Sequence, residues 1–239
     1  MIYCLGNSHA AMFSGAPPCA DLVPKANQFK NGVGDACNPN PQYPELRTVY
    51  LGGVLSYNFT QKHLPNVYHW LDKLDASKEE DTLLFIVGEI DCRWHLPKKI
   101  DEQNLEVKDV VAECIDRFFE SFLQLKKEGW SLIVCGTQPT TTGDHLGPIT
   151  AGEPRWGSCE FRNSICKTWN DYMQSKCDDS EIEFISIYEN LVDENNITNM
   201  EYFKDYCHLI YDKCFPMFLR ELQRVGHLTH YNTSTSEGE

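Results

Sequence analysis

Apolar residues along this chain fall into two alternating patterns. Unbroken runs at residues 2–5, 82–87 and 131–135 predict strands buried on both faces, as in a parallel sheet. Residues 48–51 and 182–187 predict two further strands. Between these runs the spacing becomes helical. Val67, Trp70, Leu71 and Leu74 mark a helix over 64–74. Val110, Val111, Cys114, Phe118, Phe122 and Leu125 step through 107–127 at i, i+3 and i+4, and Gly129 ends that helix. Residues 159–177 and 211–225 predict two more helices, and 6–12 reads as a turn leading into a helix. Residues 13–47 and 137–156 are rich in turn formers and predict long irregular loops, a length expected where a loop covers a functional site.

Strands alternating with helices imply βαβ units and right-handed crossovers. The expected fold is a three-layer α/β domain over residues 1–228, with a mostly parallel, doubly wound, flavodoxin-like sheet. Residues 229–239 read as a polar, disordered tail. Ligands in such folds bind beyond the carboxyl ends of the strands. That rule selects the loops at 6–13, 52–57, 88–96, 136–156 and 187–208.

Composition narrows the partners. The 239 residues carry a formal net charge of -14, with no basic stripe, which disfavours nucleic acid and anionic membranes. Eleven cysteines are scattered without a CxxC pair, so neither a zinc ribbon nor a disulfide framework is expected. Several fall in predicted strands and helices, where a thiol packs as a small hydrophobe. There is no leader-like segment and no apolar run of membrane-spanning length. These features predict a cytoplasmic protein with reduced thiols and no cofactor, and leave a small molecule as the expected partner.

Two short segments carry the candidate chemistry. Gly6-Asn7-Ser8-His9-Ala10 follows the first strand and places a serine hydroxyl at the crevice. A serine there also serves as a helix N-cap. Asp205-Tyr206-Cys207-His208 precedes the last helix. An imidazole there can take a proton from a serine hydroxyl while a carboxylate three residues before it holds its tautomer. An N-capping Asp beside a surface His is the alternative use of those residues.

Together these segments resemble the SGNH, or GDSL, hydrolase superfamily. The first looks like its G-D-S-x block, with Asn7 in place of Asp, and the second like its D-x-x-H block. The resemblance implies Ser8 as nucleophile, His208 as base and Asp205 as its orienter. It also implies a backbone donor to the oxyanion at Gly52 or Gly53. The third block departs from the pattern. Gly88-Glu89-Ile90-Asp91-Cys92-Arg93 has Ile90 where the superfamily has the asparagine of G-x-N-D, and isoleucine donates no hydrogen bond. Arg93, held by Asp91 or Glu89, is the expected substitute. Gly88 and His9 complete the candidate site. The Gly-Glu-Ile-Asp-Cys-Arg string is also similar to SGNH-like proteins found among glycan-biosynthesis genes, which tilts the expected substrate towards sugars.

Three functions fit these residues. The first is an SGNH-type esterase or acyltransferase working through Ser8. The second is a sugar transferase using His208 or a carboxylate as base, and the third a binding module without chemistry. Polar residues at 137–147 suit sugar hydroxyls, and Trp156 suits stacking on a sugar ring.

Overall fold

The computed structural model describes residues 1–14, 37–142 and 155–228. Among them are six strands: β1 (Ile2–Gly6), β2 (Cys37–Pro39), β3 (Leu46–Tyr50), β4 (Thr82–Ile86), β5 (Ser131–Cys135) and β6 (Glu183–Ile185). They form one sheet in the order β2-β3-β1-β4-β5-β6. Every neighbouring pair is parallel except β2 with β3. Leaving out the antiparallel edge, the sheet grows first to one side of β1 and then to the other. This is the flavodoxin-like, doubly wound order, with its switch point between β1 and β4.

The helices are α1 (Phe59–Lys62), α2 (Leu64–Lys73), α3 (Leu96–Gln103), α4 (Val107–Lys127), α5 (Cys159–Asp179) and α6 (Tyr211–Arg224). They divide between the two faces because strand side chains alternate. Tyr3, Leu5, Leu83, Phe85, Leu132 and Val134 pack into one core with the apolar faces of α2, α3, α4 and α5. Ile2, Cys4, Leu84, Ile86, Ile133 and Cys135 pack on the other side, against the 3-10 turn Ser8–Ser14 and α6. A strand with a core on both faces cannot alternate polar and apolar residues, which is why β1 and β4 are buried along their whole lengths.

Several sequence expectations need correction. The strand expected at 48–51 begins two residues earlier, because Leu46 pairs with Ile2 across the ladder. The irregular stretch at 13–47 contains β2, and much of the rest lies outside the described residues. The expected turn-to-helix at 6–12 is a 3-10 turn. The expected loop at 88–96 is helical: a π-turn, Asp91–His95, runs directly into α3. Pro97 occupies the first turn of α3, where a missing N–H costs nothing. With only Leu96, Pro97 and Ile100 buried, α3 shows too little periodicity to stand out. The tail at 229–239 lies outside the described residues, as do 143–154 of the long loop. Among the described residues, no helix is long and apolar enough to cross a membrane.

Candidate active site

The site begins with a close contact between two central strands. A Cβ on Gly6 would lie 2.2 Å from the Ile86 carbonyl oxygen, so only glycine lets the end of β1 sit this tightly against β4. The chain then turns at the switch point. Asn7 closes that turn twice: its side-chain oxygen accepts from the His9 N–H at 3.0 Å and its backbone oxygen from the Ala10 N–H at 3.0 Å. Ser8 opens the 3-10 turn with its hydroxyl facing the imidazole of His208.

That imidazole arrives from the segment before α6. His208 Nε2 lies 2.9 Å from Ser8 Oγ, and Nδ1 lies 2.9 Å from Asp205 Oδ2. Asp205 also accepts the backbone N–H groups of Cys207 at 2.9 Å and His208 at 2.7 Å. The D-x-x-H spacing thus builds a tight turn around one carboxylate. Partial burial raises the Asp205 carboxyl, but the His208 ring and the two backbone donors outweigh it and hold the group well below the usual carboxylate range. An ionised Asp205 takes the Nδ1–H and leaves Nε2 to accept from the serine hydroxyl. The structure therefore brings Ser8, His208 and Asp205 into one hydrogen-bonded line.

Two cavities meet at this line. A crevice of about 360 Å³ is lined by Asn7, Ser8, Gly52, Gly53, Arg93 and His208, with Tyr50, Glu89, Ile90, Trp94, His95 and Cys207 completing its wall. A much smaller apolar pocket of about 30 Å³ lies on the other side, where Met12, Ile86 and Phe218 meet Ser8 and His208.

Arg93 is only 5% exposed, and its charge is met by Glu89: Nε donates to Oε1 at 2.6 Å. The same carboxylate reaches His9, with Nε2 to Oε2 at 3.3 Å. Burial raises the Glu89 carboxyl, but His9 and Arg93 together reverse the shift and bring it down to about 2. Burial also lowers the basicity of the His9 ring against the pull of Glu89. Of the two expected partners for Arg93, the structure selects Glu89. Four residues apart on a helical stretch, the two side chains share a face, whereas Asp91 is turned away. Asp91 instead accepts the Ser56 N–H at 2.9 Å, is 1% exposed and does not line the crevice. Burial pushes its carboxyl up to about 6 against the Ser56 hydrogen bonds. Gly88 does not line the crevice either. Its φ of +121° makes the bend after β4, and Trp169 lies 3.0 Å from where a Cβ would sit.

The loop after β5, whose polar residues suit sugar hydroxyls on sequence grounds, braces the segment that carries His208. Gln138 donates its side-chain amide to the Cys207 carbonyl, and Thr141 Oγ1 donates to the Tyr206 carbonyl at 2.6 Å. Both bonds fix the backbone that carries His208. Arg162 in turn fixes this loop: it is 2% exposed and donates to Thr140 Oγ1 at 3.0 Å, the Thr141 carbonyl at 2.6 Å and the Gly157 carbonyl. Trp156 packs edge-on against Trp94, ring centres 5.5 Å apart, and donates its indole N–H to Asp101 at 2.9 Å. Sequence reading passed over Gln138 as a support for the base, and it passed over Cys207, whose Sγ lies 3.5 Å from His208 Nδ1. Its place inside the D-x-x-H string was the available signal.

No protein-family model and no curated protein matches the chain. Solved structures do. A proposed acylhydrolase from Bacteroides fragilis superposes with a TM-score of 0.56 at 15% identity, covering 94% of this chain and 86% of its own. A GDSL-like lipase from Bacteroides thetaiotaomicron gives 0.52 at 15% identity, with 94% and 88% covered. Est24, a carbohydrate acetylesterase from Sinorhizobium meliloti, gives 0.52 at 12% identity, with 95% and 99% covered. At such identities the likeness is one of fold, and it extends over nearly the whole chain: this α/β domain has the fold of SGNH/GDSL hydrolases.

Proposed function

We propose that, on this SGNH-type scaffold, the chain is a serine esterase that releases a short acyl group from a polar, hydroxyl-rich alcohol such as a sugar. The observation that carries the reading is the hydrogen-bonded line Asp205–His208–Ser8, opening on a crevice at the switch point of the sheet. Ser8 Oγ attacks the ester carbonyl as His208 Nε2 takes its proton. Asp205 stabilises the imidazolium that forms. Collapse of the tetrahedral intermediate breaks the bond to the alcohol oxygen, which recovers the proton from His208. Water, deprotonated by the same imidazole, then attacks the acyl-serine and restores the hydroxyl. If a sugar hydroxyl takes the place of water, the same steps transfer the acyl group.

The two cavities suit the two halves of such a substrate. The apolar pocket of about 30 Å³ has room for little more than an acetyl methyl. The larger crevice, with Arg93 and the glycine backbone at its wall, suits a polar alcohol. The oxyanion would meet the Ser8 N–H, a backbone N–H of Gly52 or Gly53, and the Arg93 guanidinium in place of the absent asparagine. Sugar transfer with His208 as base is the weaker reading, since Nε2 already faces the Ser8 hydroxyl.

The test is incubation with a fluorophosphonate, followed by peptide mass mapping. The expected result is one covalent adduct, on Ser8, absent from Ser8→Ala and formed about 10⁴-fold more slowly or worse in His208→Gln. A folded protein that stays unlabelled would overturn the esterase reading.

A further inference from the structure

Beside the triad, three further ligand-type side chains converge. His9 Nε2, Glu89 Oε2 and Cys207 Sγ lie within 4.8 Å of one another, and the His9–Glu89 pair is at 3.3 Å. They come from three separate segments: the turn after β1, the bend after β4, and the loop before α6. All are nearly buried, with side-chain exposures of 8% for His9 and 6% for Glu89, and Cys207 itself 5% exposed. The proposed ester chemistry uses neither the His9 ring nor the Cys207 thiol.

We propose that His9, Glu89 and Cys207 form a binding site for a zinc-type divalent cation between the two cavities, where Glu89 lines both, Cys207 the crevice and His9 the small pocket. The donor set is one imidazole, one carboxylate and one thiolate, which favours Zn²⁺ or Co²⁺ over Mg²⁺ or Ca²⁺. Ligand atoms about a tetrahedral zinc stand roughly 3.3–3.7 Å apart, given Zn–N, Zn–O and Zn–S bonds of about 2.0–2.3 Å. The His9–Glu89 distance of 3.3 Å already matches such an edge. Three protein ligands leave a fourth coordination position for water or a small ligand.

The surroundings fit a cation. Arg93 Nε holds the other carboxylate oxygen of Glu89 at 2.6 Å and its Nη2 reaches the liganding Oε2 at 3.4 Å, so the guanidinium orients the carboxylate. Its positive charge opposes the ion, which makes the site weaker than a structural zinc site. Asp205 lies beside it and offsets that charge: the Asp205, Cys207 and His208 ligand atoms also fall within 4.8 Å of one another. Binding releases the Cys207 thiol proton to solvent, so affinity rises with pH. A cation here sits beside Ser8 and His208, which line both cavities. The consequence is reversible inhibition by zinc, which rests on the esterase reading; the binding does not.

The experiment is titration of the reduced, full-length protein with Co²⁺, followed by near-ultraviolet absorption. The expected result is a thiolate-to-cobalt charge-transfer band that Zn²⁺ displaces. The band disappears in Cys207→Ser, its midpoint weakens at least tenfold in His9→Gln, and it persists in His208→Asn. Because variants can lose their fold, a second measurement uses the wild type: Zn²⁺ should raise its melting temperature, while Cys207→Ser shows no rise. Absence of the band in wild type, its survival in Cys207→Ser, or loss in His208→Asn with retention in His9→Gln would each overturn the site. Zn²⁺ should also slow fluorophosphonate labelling of Ser8. A chain that shows the band but never labels keeps the metal site and overturns the esterase reading instead.

Discussion

Arg93 carries a positive charge at 5% exposure, beside a carboxylate that accepts from it at 2.6 Å. A buried ion pair of this kind contributes little net stability, because desolvation offsets the attraction. Its value lies in direction, since the planar fork points where a rigid pair holds it. Arg93→Lys retains the charge and loses the fork. Its ester turnover is expected to fall at least tenfold while the melting temperature stays close to wild type, measured by steady-state kinetics and thermal unfolding. Wild-type turnover in this variant would remove Arg93 from the reaction. The pairing of Arg93 shows how far single residues were legible in the sequence. Ser8, Asp205 and His208 could be named because each sits in a short string whose local geometry does the positioning. The choice between Glu89 and Asp91 could not be made, because it depends on whether residues 89–95 wind as a helix. Once they do, spacing of four aligns Glu89 with Arg93, and spacing of two sends Asp91 to the Ser56 N–H instead. The convergence of His9 and Cys207 was less legible still, being a contact between opposite ends of the chain.

At the scale of elements, β1 and β4 do most to create the site, because their carboxyl ends deliver Ser8 and Glu89. Gly6 lets them approach, with the Ile86 carbonyl where a Cβ would stand. Gly6→Ala must push backbone against backbone, since no flexible side chain is there to yield. A loss of about 1–3 kcal/mol or more of unfolding free energy is expected, read from urea denaturation, together with slower fluorophosphonate labelling of the protein that remains folded. Unchanged stability would show that the two strands part without cost. Long elements such as α4 and α5 were legible because their buried positions recur over 21 residues each. The 8-residue α3 was not, since its turns offer few apolar positions and carry a proline that reads as a breaker away from the first turn. The antiparallel β2 spans only three residues, too few for any periodicity.

At the scale of the molecule, the cysteine thiols among the described residues lie inside. Cys4, Cys92, Cys114, Cys135, Cys159, Cys166, Cys177, Cys207 and Cys214 are all buried and none is disulfide-bonded. Burial raises the thiols of Cys135 and Cys177 to about 12 and those of Cys4 and Cys92 well above their ordinary value. Thiolates, not thiols, react with alkylating reagents. A thiol reagent at pH 8 is therefore expected to modify only a minority of the eleven cysteines in the native protein, and all of them after unfolding. Modification of most thiols without loss of ellipticity would contradict this packing. The doubly wound order has a further consequence for how the site comes into being. Ser8 and His208, in contact at 2.9 Å, are separated by 200 residues of chain. At ordinary rates of protein synthesis the histidine is made about 10–40 s after the serine. Throughout that interval the nascent chain holds Ser8 without the His208 imidazole, and a fragment ending before residue 205 remains in that state permanently. Ester cleavage would thus begin as a single late event, when the last helix closes over the sheet, and its onset would serve as a clock for completion of the fold.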